Sequence, residues 1–232
     1  MGRKRAFPWR WRIVALLLLV AMIGAGWAWW QAQHWRPARA QFATQGVLVG
    51  AGDGAMDFTT LAAIGADFVY VEASSGERGR DPRLGTNLRA LVGGDLPFGV
   101  VHSYDPCVAA DRQAGNFVTI VPRDATMLPP VIALDKLASE CGDPIVEAGV
   151  ESELTTFLNQ IESHTGQSAI LKLSPEFEER HDIARRMERG LWLNRDFIQP
   201  DYAGRPWTLW TATTHLRGEG SDGPLRWVVV QP

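Results

Sequence analysis

The chain has 232 residues, of which 46% are hydrophobic, 21% are charged and only two are cysteine. This composition excludes a disordered chain, a collagen-like chain and a disulfide scaffold, and it suits one domain of roughly 150 to 200 residues. Seven basic residues precede residue 41, but the first acidic residue is Asp53, so residues 41–232 carry 16 basic and 26 acidic side chains. This net charge of −10 argues against nucleic acid as a partner.

The N-terminal region contains an uncharged run at residues 13–30. As a helix rising about 1.5 Å per residue, this run is about 27 Å long, close to the thickness of bilayer hydrocarbon. Five basic residues precede it, which by the positive-inside rule places residues 1–12 in the cytoplasm as a basic tail. We therefore predict a single-pass anchor at 13–30 in the inner (cytoplasmic) membrane, with a periplasmic or other extracytoplasmic C-terminal domain.

A cleaved signal peptide is the alternative, because Gly26-Trp27-Ala28 loosely resembles a small-x-small cleavage site. The length of the apolar run and the tryptophans at its end favour the uncleaved anchor. Residues 31–44 contain a proline and show no period, which predicts a tether, and the folded domain is expected at 45–232.

The two cysteines, Cys107 and Cys141, would lie in an oxidising compartment if the domain is exported. A disulfide between them is the expectation, and two buried free thiols are the alternative. The histidines show no metal-ligand spacing, so no metal site is predicted.

Beyond Gln45, short apolar runs alternate with helical patterns. The predicted strands are Val47–Gly50, Asp67–Glu72, Phe98–His102, Val131–Asp135, Ala169–Leu173, Leu191–Asn194, Trp207–Thr211 and Leu225–Val230. The predicted helices are Phe58–Ile64, Pro82–Val92, Ala109–Val121, Val150–His164 and Pro175–Arg189. This order predicts a mostly parallel α/β sheet, closed as a barrel or open as a doubly wound layer, with function at the carboxyl ends of the strands.

The first predicted strand leads into Gly50–Ala55, which reads G-x-G-x-x-A, and Glu72 ends the next strand. Such a segment is typical of dinucleotide binding, where glycines admit a pyrophosphate and an acid holds the ribose. Asp57 is the expected N-cap of a short helix, and a helix that begins there leaves a loop after the glycines. A glycine-rich turn is therefore the simpler interpretation, no cofactor is predicted, and a dinucleotide-binding module stays as a weaker alternative.

Four further blocks occur in order along the chain. Residues 46–58 (GVLVGAGDGAMDF) follow the pattern G-[IV]-D-V-S-x-x-Q-G-x-I-D-W, and residues 65–76 (GADFVYVEASSG) follow G-x-D-F-x-[FY]-[IV]-K-A-[ST]-E-G. Residues 96–102 (LPFGVVH) follow L-P-x-G-x-Y-H, and residues 128–135 (LPPVIALD) follow L-P-P-V-[LV]-D-x-E. Together they resemble glycoside hydrolase family 25, the lysozyme-like muramidases that cleave peptidoglycan. The resemblance implies an irregular TIM-like (β/α) barrel.

The departures from these patterns fall on the acids. The resemblance implies catalytic carboxylates at three positions, which here hold Leu48, Ala133 and Asp135. Leucine and alanine neither donate a proton nor stabilise a positive centre, so Asp135 is the remaining candidate acid. Four other expected residues, a tyrosine, a lysine, a glutamine and an acid, are replaced by Lys172, Glu72, Thr211 and Arg226.

The resemblance also makes His102, Trp192 and Trp210 candidates for substrate contact, and Glu72, which stands where the family has a lysine, is a further candidate. The alternatives are a hydrogen-bonded, semi-buried histidine, core packing of the two tryptophans and a simply exposed acid. The favoured hypothesis is a catalytically weakened or inactive domain that binds peptidoglycan or a cell-wall-associated protein. The alternative is an active lysozyme-like hydrolase that uses Asp135 as its acid and relies on the N-acetyl group of the substrate.

Overall fold

The computed structural model describes residues 9–142 and 147–232. Within these ranges, eight strands close into a barrel in the order β1-β9-β8-β7-β6-β5-β4-β2, and the ring is completed by pairing of β2 with β1. A ninth, two-residue strand, β3, extends β2. The bounds are β1 (Gln45–Val49), β2 (Phe68–Ser75), β3 (Gly79–Arg80), β4 (Phe98–Ser103), β5 (Val131–Leu134), β6 (Ile170–Leu173), β7 (Gly190–Asn194), β8 (Leu209–Leu216) and β9 (Leu225–Val230).

The barrel strands run parallel except for β9, which is antiparallel to both β1 and β8. The helices are α1 (Trp9–His34), α2 (Phe58–Ala63), α3 (Leu84–Leu91), α4 (Ala110–Ile120), α5 (Glu147–Thr165), α6 (Pro175–His181) and α7 (Ile183–Arg186). The predicted α/β barrel is confirmed, and of the two sheet forms the sequence allowed, the closed one is adopted.

One predicted helix, Pro175–Arg189, is broken. Asp182 adopts the left-handed conformation with φ of 50° and separates α6 from α7. Aspartate tolerates this conformation better than most residues. The buried Glu178 carboxylate accepts a hydrogen bond from the Ala184 amide across the break, and this contact secures the turn.

The barrel is filled by side chains and is not a pore. Alternate residues of each strand point inward and form one apolar cluster, because side chains alternate across a strand. Its buried members are Leu48, Phe68, Tyr70, Val101, Val131, Ala133, Ile170, Trp192, Leu209 and Val228. The opposite faces of the strands pack against the helices in a second, larger cluster.

The outer face of β8 and β9 needs a cover other than a helix, because a hairpin joins these two strands. The segment before β1 supplies it: Phe42 is 3% exposed, and its ring centroid lies 6.2 Å from that of Trp207 and 5.7 Å from that of Trp210. Arg36 lies over the ring of Trp227 at 5.3 Å. Residues 35–44 therefore pack onto the barrel and do not form the free tether that the sequence predicted.

The N-terminal helix α1 is longer than the predicted anchor, since it runs from Trp9 to His34 and is not buried at any residue. By length and composition it is the one helix in the described ranges that is able to span a membrane. Its last turn touches the barrel domain, because the Arg217 amide donates to the Gln33 carbonyl at 2.7 Å. Of the predicted basic tail, residues 1–8 lie outside the described residues.

Candidate functional site

The carboxyl ends of the parallel strands form one mouth of the barrel, and the inward positions there are polar. On β2, Phe68 and Tyr70 point into the core, so Glu72 is the next inward residue and reaches the mouth. The same alternation brings Lys172 of β6 to the mouth. Since β9 runs in the opposite direction, its second residue, Arg226, arrives at the same end.

One half of the mouth is closed by an ion-paired cluster. The guanidinium of Arg226 contacts the Glu72 carboxylate through Nη1 and the Asp53 carboxylate through Nη2, at 2.5 Å to Asp53 Oδ2. The side chains of Arg226 and Asp53 are 24% and 13% exposed. Burial on its own lowers the pKa of Arg226, but the two carboxylates outweigh burial and hold that pKa above its usual value.

The glycine-rich turn serves this cluster. A Cβ atom on Gly50 would overlap the Glu72 carboxylate, so any larger residue at this position would displace that carboxylate. The Gly50 amide donates to Asp53 Oδ2 and the Ala51 amide to Asp81 Oδ2, each at 2.7 Å. Acidic side chains thus occupy the amides that a pyrophosphate would need. This geometry corrects the dinucleotide-binding interpretation of Gly50–Ala55.

The other half of the mouth is open. A cavity of about 410 Å³ lies between the loops that follow β2, β4 and β5, and residues 75–79, 103–105, 133, 135 and 136 line it. Lys136 Nζ lies 2.8 Å from Asp105 Oδ1 and 2.9 Å from Oδ2 on its wall. The Asp135 side chain is 51% exposed, and Lys172 Nζ lies 3.6 Å from Asp135 Oδ2.

A disulfide bond joins the two loops that carry Asp105 and Lys136. Cys107 lies between β4 and α4, Cys141 follows β5, and their Cα atoms are 5.4 Å apart. The Asp105 carboxylate also accepts a hydrogen bond from the Cys107 amide at 2.9 Å. The cavity wall is thus cross-linked covalently and by an ion pair.

Two comparisons bear on this barrel. Residues 49–220 match the model of the glycosyl hydrolases family 25. The chain belongs to this family. Among solved structures, it resembles a family 25 glycosyl hydrolase from Bacillus anthracis, with a TM-score of 0.77, 23% identity and coverage of 86% of this chain and 93% of that chain. It also resembles a bacterial lysozyme from Streptomyces coelicolor, with a TM-score of 0.73, 17% identity and coverage of 82% and 92%.

A curated relative is the uncharacterized protein YegX of Escherichia coli strain K12, which is 22% identical over 159 residues. This alignment covers 68% of the present chain but only 57% of YegX. The present chain therefore spans little more than half the length of that relative.

Two of the three positions at which the family resemblance implies acids are buried in the barrel. Leu48 is 2% exposed and Ala133 is 4% exposed, and both belong to the inner apolar cluster. Each has a cation beside it on the adjoining strand, since Leu48 pairs with Arg226 and Ala133 pairs with Lys172. Asp135, the third of these positions, lies on the cavity wall.

Three of the predicted substrate contacts are corrected by the structure. His102 is 0% exposed and points away from the mouth, toward the layer of α4 and α5, where its Nδ1 lies 2.8 Å from Ser74 Oγ. Trp192 is 0% exposed inside the barrel and donates to Thr211 Oγ1 at 2.7 Å. Trp210 is 2% exposed on the outer face. None of these rings presents a face to a ligand, whereas Glu72 does lie at the mouth.

Burial has a chemical consequence for His102. Removal from water disfavours the charged imidazolium and lowers the pKa of His102 to about 4, although a contact with Gln113 acts in the opposite direction. His102 is therefore a neutral packing residue at physiological pH, in contact with the Phe157 ring at 4.9 Å between centroids.

Sequence reasoning missed Asp53, Asp105 and Lys136 as members of the mouth. Asp53 and Arg226 are separated by 173 residues, so only closure of the barrel brings them together. The available signal was the change of charge at two positions, Glu72 and Arg226, which the structure shows in direct contact.

Proposed function

We propose that this protein is a membrane-anchored, extracytoplasmic muramidase-like domain that binds peptidoglycan, or a protein associated with it, without effective cleavage. The observation that carries the proposal is the burial of Leu48 and Ala133 where the family resemblance implies catalytic acids. Neither side chain is able to donate a proton or balance a developing positive charge.

The remaining carboxylates do not supply the missing pair. Glycoside hydrolysis needs one carboxyl group that protonates the leaving oxygen and a second that acts as nucleophile or base. At this mouth Asp53 and Glu72 are bound to Arg226, and Asp105 is bound to Lys136. A glycosidase acid usually lies in an apolar, desolvated setting, but Asp135 is half-exposed and faces the ammonium of Lys172.

The open cavity suits binding. Its volume of about 410 Å³ lies within the range of small-ligand sites, and its lining offers backbone groups together with charges of both signs. Glycan strands with attached peptides present hydroxyl, amide and carboxylate groups that match such a lining. The helix α1 supports the anchored location, because it is apolar, unburied and long enough to cross a bilayer.

The test uses the full-length protein in detergent micelles with purified peptidoglycan. One assay follows co-sedimentation with the insoluble wall, and the other follows release of new reducing ends. We expect co-sedimentation without release. A tryptophan placed in the cavity by Ser103→Trp should abolish co-sedimentation, whereas Ser152→Trp, an exposed position on α5, should leave it unchanged.

The second candidate is an active hydrolase that uses Asp135 together with the N-acetyl group of its substrate. The location of the Asp135 carboxylate on the cavity wall is the observation that favours it. Release of reducing ends that disappears in Asp135→Asn would establish this candidate and refute the inactive domain. Absence of both binding and release would refute cleavage and peptidoglycan binding, and would leave binding to a wall-associated protein as the proposed function.

A further inference from the structure

The loop after β7 presents two large apolar side chains to solvent. Phe197 is 39% exposed and Ile198 is 60% exposed, although most apolar residues of the barrel domain are buried. Phe197 also has a φ of 68°, in the left-handed region that disfavours residues other than glycine. The fold thus holds an exposed aromatic ring in place against local backbone preference.

This loop is joined to the end of α1. The rings of Trp35 and Phe197 meet edge to face with centroids 5.3 Å apart, and the other side of Phe197 stacks on His215. Two residues after His215, the Arg217 amide donates to the Gln33 carbonyl at 2.7 Å. The last turn of α1 therefore fixes the height of Phe197, that is, its distance along the helix axis from the end of the uncharged run.

That height follows from helix geometry. The uncharged run ends at Trp30, and α1 continues through His34, four residues that rise about 6 Å. The headgroup layer on each side of a bilayer is about 5 to 8 Å thick. If residues 13–30 occupy the hydrocarbon, then Gln33, Trp35 and the ring packed on Trp35 lie at the depth of the headgroups.

We propose that Phe197 and Ile198 form a second membrane contact, inserted into the headgroup layer of the bilayer that α1 crosses. The exposed Arg195 and Arg217 are adjacent to this contact in sequence or by hydrogen bond and suit the phosphates of the headgroups, and Arg195 also forms an ion pair with the exposed Asp201 at 2.9 Å. The nearby Asp196 carboxylate is turned inward, where it accepts a hydrogen bond from the Thr214 amide at 2.7 Å.

The contact rests on the anchoring part of the proposed function, and it determines how the domain sits. Phe197 follows the carboxyl end of β7 and donates its amide to Ala212 on β8, so it belongs to the rim of the mouth. With this rim at the headgroups, the β7–β8 side of the mouth faces the membrane.

The test places a single spin label on the full-length protein in lipid nanodiscs. Both native cysteines are in the disulfide, so a new cysteine is the only free thiol under non-reducing conditions. Labels at Ile198→Cys, at Val92→Cys and at Leu19→Cys compare the loop, an exposed apolar residue elsewhere on the barrel domain (67% exposed) and the middle of α1. All three side chains are exposed, so the labels should not disturb packing.

We expect collisions with a water-soluble paramagnetic reagent to be several-fold rarer at position 198 than at position 92, and rarest at position 19. Equal collision rates at 198 and 92, with position 19 protected, would overturn the second contact but leave the anchor intact. An unprotected position 19 would overturn the anchor and the contact that depends on it.

Discussion

The two halves of the barrel mouth both contain charged residues, but one half is ion-paired and the other surrounds an open cavity. On one side, the Arg226 guanidinium of β9 contacts two carboxylates, those of Glu72 and Asp53. On the other side, charged residues surround a cavity of about 410 Å³ between the loops that follow β2, β4 and β5. The first half satisfies its charges internally, and the second leaves Asp135 half-exposed.

This difference indicates which half of the mouth is available for ligand binding. A partly buried charge that is ion-paired with two carboxylates is costly to disturb, so we expect the Arg226 half to contribute structure and not chemistry. The open half has polar groups at its surface and has loops held in place by a disulfide and the Asp105–Lys136 pair. Four changes test this division, and they are ordered by the loss of stability that each should cause.

Reduction of the disulfide is expected to have the largest effect, and it acts on the open half. Closing a loop of 34 residues in sequence stabilises a protein by about 3 to 4 kcal/mol in the chain-entropy model. The melting temperature of the full-length protein should fall on the order of 10 °C in reductant. The double variant Cys107→Ser with Cys141→Ser should melt at the lower temperature and ignore reductant. Equal melting with and without reductant would contradict the prediction.

The second effect is a pH dependence of stability that comes from His102 on the outer face of β4. The pKa of His102 is about 4 in the folded protein, below the ordinary histidine value, so the unfolded chain binds the proton first as pH falls. We therefore expect the contribution of His102 to the free energy of unfolding to be complete above pH 6.5 and to decline toward pH 4, by about 3 kcal/mol in total.

Denaturant unfolding at a series of pH values measures this decline. His102→Gln should flatten the dependence between pH 6.5 and 4, because the titrating group is gone. His215→Gln, at a histidine whose side chain is 59% exposed and lies 3.3 Å from the Asp196 carboxylate, is the comparison variant and should change the slope less than His102→Gln does. A wild-type slope in His102→Gln would assign the dependence to other groups.

The third change opens the closed half. Arg226→Leu leaves Asp53 and Glu72 without their cation, and the expected loss is about 2 to 3 kcal/mol, toward the low end for buried pairs because Glu72 is partly exposed. Chemical denaturation of the full-length chain provides the measurement. The exchanged pair Glu72→Arg with Arg226→Glu should be more stable than Arg226→Leu, and the reverse ranking would show that the contact contributes little.

The smallest effect is expected at the boundary between the halves. Lys172→Met removes the cation beside Asp135, and it should cost less than about 1 kcal/mol because Asp135 is half-exposed. Lys172→Arg, which keeps the charge, is the control in the same unfolding assay. A large loss in Lys172→Met, absent in Lys172→Arg, would make Asp135 part of the structural cluster and would break the division of the mouth.

The barrel was predictable because its strand order, turn residues and apolar runs agree with one another. The direction of individual side chains was not. Strands such as Phe98–His102 carry apolar residues on both faces, so alternation alone does not reveal whether Val101 or His102 points inward. The structure directs Val101 into the barrel and His102 to the outer layer, which removes the expected ligand contact.

The tether was mispredicted for a related reason. Residues 31–44 show no period, but a segment that covers a surface in an irregular conformation has none either. Phe42 and Arg36 gave a weak signal, because their partners Trp207, Trp210 and Trp227 lie at the other end of the chain. The Asp53–Arg226 contact was hidden by the same separation in sequence.

The docking of residues 35–44 fixes the reach of the domain. A free linker of 14 residues would let the mouth sample positions about 20 Å farther from its attachment point, by random-coil scaling. Because the segment lies on the barrel, the mouth stays within roughly one domain diameter of the end of α1. A polymeric ligand would therefore have to lie within that distance to be bound. Under the proposed function, glycan strands close to the membrane surface would be encountered at a high effective concentration, whereas glycan strands deeper in the wall would be out of range.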